Sequence, residues 1–216
     1  MIFYSKIYFP RFFPTTLEKA IQDKLDDTDT LNWELTRYKA LLNLKKQASR
    51  MISSLEELKK VTEAQQIDSM DKLIQEVIKE AISNPSFDGS QHFNVLNNKF
   101  SLLKDEVEEH KNLEKCFSGC NVFANSIVTS AAALGVVLFG AAAVTGPLGI
   151  ALLGIGMTLL SALVLSIATY SVYVDARFIG DKQLSEIDAG INFLTSYPNV
   201  ELMLEKDVPS NTLCGI

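Results

Sequence analysis

Charge is missing from the middle of the chain: residues 116–174 contain no Asp, Glu, Lys or Arg, although 21% of the 216 residues are charged. The three cysteines are too few, and odd in number, for a disulfide scaffold. The formal net charge of −6 argues against a protein that binds nucleic acid through bulk positive charge, so we expect no nucleic-acid partner. The uncharged stretch is therefore the main indication of function.

The motifs of common enzymes are missing as well. Gly135 and Gly140, like Gly149 and Gly154, have the glycine spacing of a phosphate-binding loop, but neither pair is followed by Lys-Ser or Lys-Thr. No pair of side chains suggests general acid–base chemistry. The sequence therefore predicts no catalytic residue, no cofactor and no enzymatic activity.

The uncharged stretch contains more apolar residues than one membrane span requires. Residues 121–174 are more than twice the roughly 20 residues that cross a bilayer as a helix. Thr145-Gly146-Pro147 lies near the middle, and Gly and Pro are strong turn signals. We predict an apolar helical hairpin with arms from about Val122 to Val144 and from about Leu148 to Tyr173. The alternative is a core hairpin in a soluble protein, which several amphipathic helices would have to surround.

The two arms of this hairpin differ in composition. The second arm is rich in Leu and Ile, each of which favours insertion at mid-membrane by roughly 0.3–0.6 kcal/mol. The first arm is rich in Ala and Gly and would insert only weakly by itself. Its small residues, Ala131 and Gly135 in particular, favour close helix packing against the second arm or against another copy of the chain. A lipid bilayer is thus one expected partner, and a homo-oligomer is another.

Basic residues flank the hairpin on both sides and predict its topology. Lys111 and Lys115 precede it, Arg177 and Lys182 follow it, and the turn carries no charge. The positive-inside rule therefore places both termini in the cytosol, with two membrane spans.

Two cysteines, Cys116 and Cys120, lie one helical turn apart where the chain enters the uncharged stretch. Together with His110 they supply residue types that bind metals, but the spacing is not that of a zinc finger and a fourth ligand is not evident, so we predict no metal. Juxtamembrane cysteines are substrates for S-palmitoylation, which makes both residues candidate acylation sites. The alternative is that both remain free thiols.

The flanking segments have the periodicity of amphipathic helices. Residues 15–118 are predicted to form a helical bundle that begins with a capping box at Thr15 and Glu18, and residues 175–216 a further amphipathic helix and a tail. Three- and four-residue steps typical of a coiled-coil seam connect Leu41, Leu44, Ala48, Met51, Leu55 and Leu58. The predicted fold class is all-α, an amphipathic bundle with an inserted apolar hairpin, and the heptad helices are candidate surfaces for a protein partner.

The N-terminal segment, residues 1–14, is rich in aromatic side chains that alternate with Lys6, Pro10 and Arg11. It lacks the uninterrupted apolar run and the small-residue cleavage site of a signal peptide. One interpretation is an irregular or strand-like segment that packs on the helices. The other is an anchor in the membrane interface, where aromatic and basic residues are favoured together.

The layout of long heptad helices around an apolar hairpin, over about residues 31–195, resembles the α-helical pore-forming toxins of the cytolysin A and haemolysin BL class. In that family the hairpin folds against the bundle in a soluble form and moves into the membrane on assembly. The resemblance implies a soluble state that later inserts and oligomerises. This chain is shorter and would form a smaller bundle.

The chain also resembles effectors that intracellular bacteria such as Legionella and Coxiella deliver by type IV (Dot/Icm) secretion, many of them helical virulence proteins with a Gly/Ala-rich membrane hairpin. Secretion signals of this kind often have acidic residues near the C-terminus and an apolar residue close to the end. Glu201, Glu205, Asp207 and Leu213 fit this pattern. The resemblance implies delivery into a host cell.

These observations lead to one expected function and one alternative. We expect a non-enzymatic, membrane-anchored helical protein, a secreted bacterial effector whose hairpin inserts into a host membrane and whose bundle binds a partner or self-associates. The alternative is an α-helical pore-forming protein that has a soluble form and oligomerises on insertion.

Overall fold

The computed structural model of the protein describes residues 6–27, 35–84 and 86–198. In this part of the chain there are six α-helices, one short 3-10 helix and no strand. The predicted all-α class with an apolar hairpin is confirmed. The helices are α1 (Thr16–Asp26), α2 (Leu35–Val61), α3 (Gln66–Ser83), the 3-10 helix (Gly89–His92), α4 (Phe93–Thr145), α5 (Leu148–Ile179) and α6 (Lys182–Ser196).

The chain divides into two compact units. Among the described residues, unit 1 contains 6–12, 57–63 and 107–182. Unit 2 contains 13–27, 35–56, 64–84, 86–106 and 183–198. Two helices, α2 and α4, contribute several residues to both units, and α6 contributes its first residue, Lys182, to unit 1. The first 106 residues and the last helix thus supply most of unit 2, and the apolar hairpin belongs to unit 1.

The amphipathic helices bury the faces that the sequence predicts. All six seam residues of α2 are buried, because a repeat of three- and four-residue steps keeps them on one side of the helix. Three- and four-residue steps also predict an apolar face on α3, and all five of its residues are buried: Ile67, Met70, Ile74, Val77 and Ala81. The core of unit 2 is therefore a helix-on-helix core of the predicted kind.

Side chains from within unit 2 fix where two of its helices begin. The predicted capping box at α1 is confirmed: Thr15 Oγ1 accepts from the Glu18 N–H at 3.2 Å, and the Thr15 N–H donates to Glu18 Oε2 at 2.7 Å. The start of α3 receives its acceptor from another helix. Glu106 accepts from the Gln65 and Gln66 N–H groups at 2.8 and 3.0 Å, which satisfies donors that a helix leaves unpaired at its first turn.

Residues 84–90, where Asn, Pro, Ser and Gly predict a loop, contain the start of the 3-10 helix. Asp88 accepts from the Ser90 N–H at 3.0 Å, and this hydrogen bond begins the 3-10 helix. The side-chain hydrogen bond of Ser90, followed by this backbone hydrogen bond, lowers the pKa of the Asp88 carboxyl. Gly89 lies directly against the backbone of Leu194 in α6, where no side chain would fit. The tight approach explains why a glycine stands at this position.

Three- and four-residue steps from Phe93 through His110 to Phe117 predict an apolar seam along α4, but the structure buries it over a shorter length. Leu96, Phe100 and Leu103 are buried, but Phe93 and Phe117 at its ends are 43% and 57% exposed. A 3.5-residue repeat drifts by about 20° per heptad around a straight helix of 3.6 residues per turn, so a seam of more than three heptads rotates away from one contact face. The side chain of His110, assigned to this seam from the sequence, lies outside the described part.

Other predictions concern residues outside the described part of the chain. These are the aromatic residues before Lys6, the start of the α2 helix predicted at Leu31, and the secretion-signal residues after Pro198. The helix predicted after the hairpin is present as α6, which ends at Ser196, two residues before Pro198.

Candidate membrane hairpin

The hairpin turns within two residues. α4 ends at Thr145 and α5 begins at Leu148, which leaves Gly146 and Pro147 as the connection. The Gly146 N–H donates to Ala142 O at 3.0 Å, and a Cβ atom at Gly146 would lie 2.7 Å from the same oxygen. The structure thus places the turn at the tripeptide from which the sequence predicts it.

Glycine and other small residues bring the two arms of the hairpin close together. A Cβ atom at Gly135 in α4 would lie 2.6 Å from Ser161 Oγ in α5. A Cβ atom at Gly154 in α5 would lie 2.7 Å from Ala143 N and 2.9 Å from Ala143 Cα in α4. Two glycines, one on each helix, therefore accept the neighbouring helix directly.

Gly135 is predicted from the sequence as a helix-packing residue, whereas Gly154 is not. Small side chains recur at every fourth residue from Gly154 through Thr158 to Ala162. This spacing is the signal in the sequence that indicates a packing face on α5. Ala131 is exposed, whereas its neighbour Ala132 is 8% exposed. Contact of Ala131 with another copy of the chain therefore remains a prediction.

A disulfide across the hairpin tests this packing. In a chain whose native cysteines are all replaced by serine, Gly135→Cys with Ser161→Cys is expected to oxidise readily. The new Cβ position lies 3.2 Å from Ser161 Cβ, so a small separation of the helices brings the pair into the range of about 3.5–4.5 Å that disulfides need. The measurement is the loss of alkylatable thiols after mild oxidation, by intact mass. Leu138→Cys with Ser161→Cys is the control, since Leu138 is exposed, and equal oxidation of both pairs would contradict the packing.

Apolar side chains are exposed around both arms. Of the 18-residue apolar window in each arm, 6% is buried. A core helix of a soluble protein buries most of such a window, so this hairpin does not have the burial of a core element. Both helices are long and apolar enough to cross a membrane. The large exposed side chains are Phe123, Ile127, Val128, Leu134, Val137, Leu138, Val144, Leu148, Ile150, Leu152, Leu153, Ile155, Met157, Leu159, Leu160, Leu163, Val164 and Tyr173.

Five hydroxyl groups in the arms find acceptors in their own helix, whereas Thr129 Oγ1 is buried and has no hydrogen-bond partner in the described part of the chain. Each of the five donates to the carbonyl oxygen four residues earlier, at 2.7–2.9 Å, and they belong to Ser126, Ser130, Thr145, Thr158 and Ser166. A polar group in hydrocarbon has no water to bond, so it must be satisfied within the protein. These residues therefore tolerate a lipid environment without a second protein as partner.

The length of the arms matches the thickness of a bilayer. Twenty helical residues span about 30 Å, which is the thickness of the hydrocarbon core. Counted from the turn, such a span covers residues 126–145 of α4 and 148–167 of α5. The charged residues Lys115 and Asp175 then lie beyond the apolar layer on the same side.

A buried polar cluster lies at the base of the hairpin, beyond the 20-residue spans. Asp175 is fully buried and accepts hydrogen bonds from the Tyr8 hydroxyl at 3.3 Å, from Asn121 Nδ2 and from Ser118. Burial, followed by the nearby Asp175 carboxylate, raises the pKa of the Tyr8 phenol. The cluster joins α4, α5 and the N-terminal segment. No pattern in the sequence predicts it.

Two sets of ion pairs also join separate segments of the chain at the base of the hairpin. Arg177 Nε lies 3.2 Å from Glu57 Oε2, and both side chains are largely buried. Lys111 and Lys115 lie 3.3 and 3.0 Å from Asp181 Oδ2. Burial alone would raise the pKa of Asp181, but the hydrogen bonds from Lys115 and Lys111 hold it below its usual value. Three of the four basic residues that define the predicted topology thus have structural partners.

Cys116 and Cys120 are free and exposed. They lie in α4 before residue 126, outside the counted span, where an acyl chain could enter the same leaflet. If they are acylated, acyl-exchange labelling of protein expressed in eukaryotic cells is expected to fall when both are changed to serine. A labelling signal that is unchanged in the Cys116→Ser/Cys120→Ser variant would rule out acylation at this pair.

No group of three or more His, Cys, Asp or Glu side chains within reach of one metal ion occurs in the part of the chain that the structure describes. The titratable groups at the hairpin base instead pair with basic or hydroxyl groups, as described above. What this arrangement can do chemically is hold helices and the N-terminal segment together.

The chain matches no protein-family model, and no curated protein or solved structure matches it. The resemblances to pore-forming toxins and to secreted effectors therefore depend on the layout of the chain. The functional inference therefore rests on the hairpin and its contacts.

Proposed function

We propose that the protein is a non-enzymatic membrane anchor, whose hairpin inserts into a bilayer and whose helical bundle binds a partner or self-associates. The observation that carries this proposal is the exposure of apolar side chains around both arms, among which five hydroxyl groups are bonded within their own helices. An apolar surface of this extent is costly in water and marks an interaction site. A bilayer covers all sides of the hairpin at once.

The proposed topology has both ends of the hairpin on the cytosolic side. Lys111, Lys115 and Arg177 lie at its base, and the turn at Gly146 and Pro147 carries no charge. Basic residues next to a span favour the cytosolic side. Inversion of this topology would require moving all three basic residues across the bilayer.

A non-enzymatic role is part of the proposal. The buried titratable groups of unit 1, Asp175, Glu57 and Arg177, are held in hydrogen bonds or ion pairs between segments. A general acid or base must instead be able to reach a substrate proton. These contacts instead support a role in holding α2 and the N-terminal segment against the hairpin.

Detergent-free fractionation followed by carbonate extraction tests the anchor. The expressed full chain is expected to stay in the carbonate-resistant membrane pellet. A matched variant, Leu153→Lys with Leu160→Lys, places two charges on exposed positions of one arm and is expected to shift protein to the soluble or aggregated fraction, since each charge costs roughly 2.5–3.5 kcal/mol at mid-membrane. Recovery of the unchanged chain as a soluble, monodisperse species would contradict the anchor.

A soluble, monodisperse chain would instead support the pore-forming alternative. That alternative requires a form in which the apolar arms are covered by the bundle or by other copies. Release of a trapped dye from liposomes by this soluble protein would then identify it as a pore-former. The low burial of both arms favours the anchor over this alternative.

We also propose that the membrane belongs to a host cell and that the protein is a secreted bacterial effector. The support is the resemblance to Dot/Icm effectors, with Glu201, Glu205, Asp207 and Leu213 as the signal residues. A reporter fused to the N-terminus is expected to enter host cells from bacteria with an intact secretion system and not from secretion-deficient bacteria. Equal entry from both strains, or entry from neither, would oppose this assignment.

A further inference from the structure

The backbone of the N-terminal segment is held at three residues, two of them bonded to the hairpin and one to α2. Asn125 Nδ2 of α4 donates to Lys6 O at 3.2 Å, and the Tyr8 N–H donates to Ser171 Oγ of α5 at 2.8 Å. Lys60 Nζ of α2 donates to Phe9 O at 2.9 Å. Side chains from three helices therefore fix the backbone of this short, non-helical segment.

The attached segment points one aromatic side chain inward and others outward. Tyr8 is 5% exposed, whereas Ile7 and Phe9 on either side of it are 58% and 61% exposed. This alternation is that of an extended chain, in which successive side chains face opposite directions. Phe12 follows at 77% exposed, so the large apolar side chains of Ile7, Phe9 and Phe12 are mostly exposed in the part of the segment that belongs to unit 1.

The attachment points lie at the edge of the counted apolar layer. Asn125 directly precedes residue 126, where the span of α4 begins. Ser171 lies four residues beyond residue 167, about 6 Å along α5. The segment therefore lies where the hydrocarbon meets the headgroups, a depth at which aromatic side chains are favoured.

We propose that Ile7, Phe9 and Phe12 form an interfacial anchor, held by Tyr8 at the base of the hairpin and seated in the headgroup region of the same bilayer. The proposal rests on the proposed function, because it requires the hairpin to be inserted. The partner is phospholipid rather than protein, since Asn125 and Ser171 hold the segment at the end of the exposed apolar surface of the two arms. The anchor fixes how deeply the hairpin sits.

Depth-dependent quenching of tryptophan tests the anchor in the full chain. The only tryptophan, Trp33, is changed to phenylalanine, and one new tryptophan is introduced at a time: Phe9→Trp, Val137→Trp or Leu102→Trp. Val137 is exposed near the middle of the counted span, and Leu102 is exposed in α4 about 36 Å before residue 126 along the helix axis. Each protein is reconstituted in phosphatidylcholine vesicles with bromine near the headgroup or near the chain ends.

The three variants give separate results for the hairpin and the anchor. We expect Val137→Trp to lose emission mainly to deep bromine, Phe9→Trp mainly to shallow bromine, and Leu102→Trp to neither. Quenching of Val137→Trp without quenching of Phe9→Trp would overturn the interfacial anchor and leave the membrane hairpin in place. Absence of quenching for both would overturn the proposed function together with the anchor.

Discussion

Gly154→Ala is expected to lower the free energy of unfolding of the hairpin by about 1–3 kcal/mol, the usual cost of overpacking a close contact. The added Cβ would lie 2.7 Å from Ala143 N, 2.9 Å from Ala143 Cα and 2.9 Å from Phe139 O. All three are backbone atoms, which cannot move aside as a flexible side chain can. The substitution therefore forces α4 and α5 apart at this level.

Gly156→Ala is the matched control for Gly154→Ala, because both residues lie in α5 and no atom lies within 4 Å of a Cβ at Gly156. Alanine is the better helix former by up to about 1 kcal/mol, so the control is expected to be neutral or stabilising. Unfolding followed by far-UV circular dichroism in mixed micelles, titrated with a denaturing detergent, compares the two. Equal stability of both variants would show that the helices do not meet at Gly154.

Asp175→Ala is expected to destabilise the base of the hairpin by about 3 kcal/mol, since buried donors left without an acceptor cost about 1–3 kcal/mol each. The carboxylate accepts from Tyr8, Asn121 and Ser118, and none of these gains another acceptor from alanine. Loss of the Tyr8 hydrogen bond also weakens the attachment of the N-terminal segment. Thermal unfolding and limited trypsin cleavage after Arg11 measure the two effects.

Two further variants decide what Asp175 contributes. Asp175→Asn keeps one acceptor oxygen and the size of the side chain, so its loss of stability is expected to be smaller than that of Asp175→Ala. Asp188 is an exposed carboxylate in α6, and Asp188→Ala is expected to change stability by less than about 0.5 kcal/mol. Slow cleavage at Arg11 in Asp175→Ala, as slow as in the unchanged chain, would refute a role of Asp175 in holding the segment.

The helices and the hairpin follow from the sequence because their signals are local and periodic. The capping box at Thr15 and Glu18, the seam of α2 and the turn at Gly146 each depend on residues within a few positions of one another. The apolar face of α4 extends less far than its spacing indicates, since Phe117 is exposed. Periodicity identifies a face but not the point at which its partner ends.

The polar cluster and the attached N-terminal segment could not be read from periodicity. Tyr8 and Asp175 are 167 residues apart along the chain, and Asn121 and Asp175 are 54 apart. A single aspartate or tyrosine has no spacing signature, so only the fold reveals that they meet. From the sequence alone, two interpretations of residues 1–14 are open. In the structure the segment packs through Tyr8, while Phe9 remains exposed.

The shortness of the turn has a consequence for how the chain reaches a bilayer. Only Gly146 and Pro147 connect the two arms, and neither carries a charge. A hairpin with such a tip needs no hydrophilic domain to be carried across hydrocarbon, where each charge costs roughly 2.5–3.5 kcal/mol. Insertion can then begin from one aqueous side after synthesis is complete, with the tip crossing first and the charged base staying where it started.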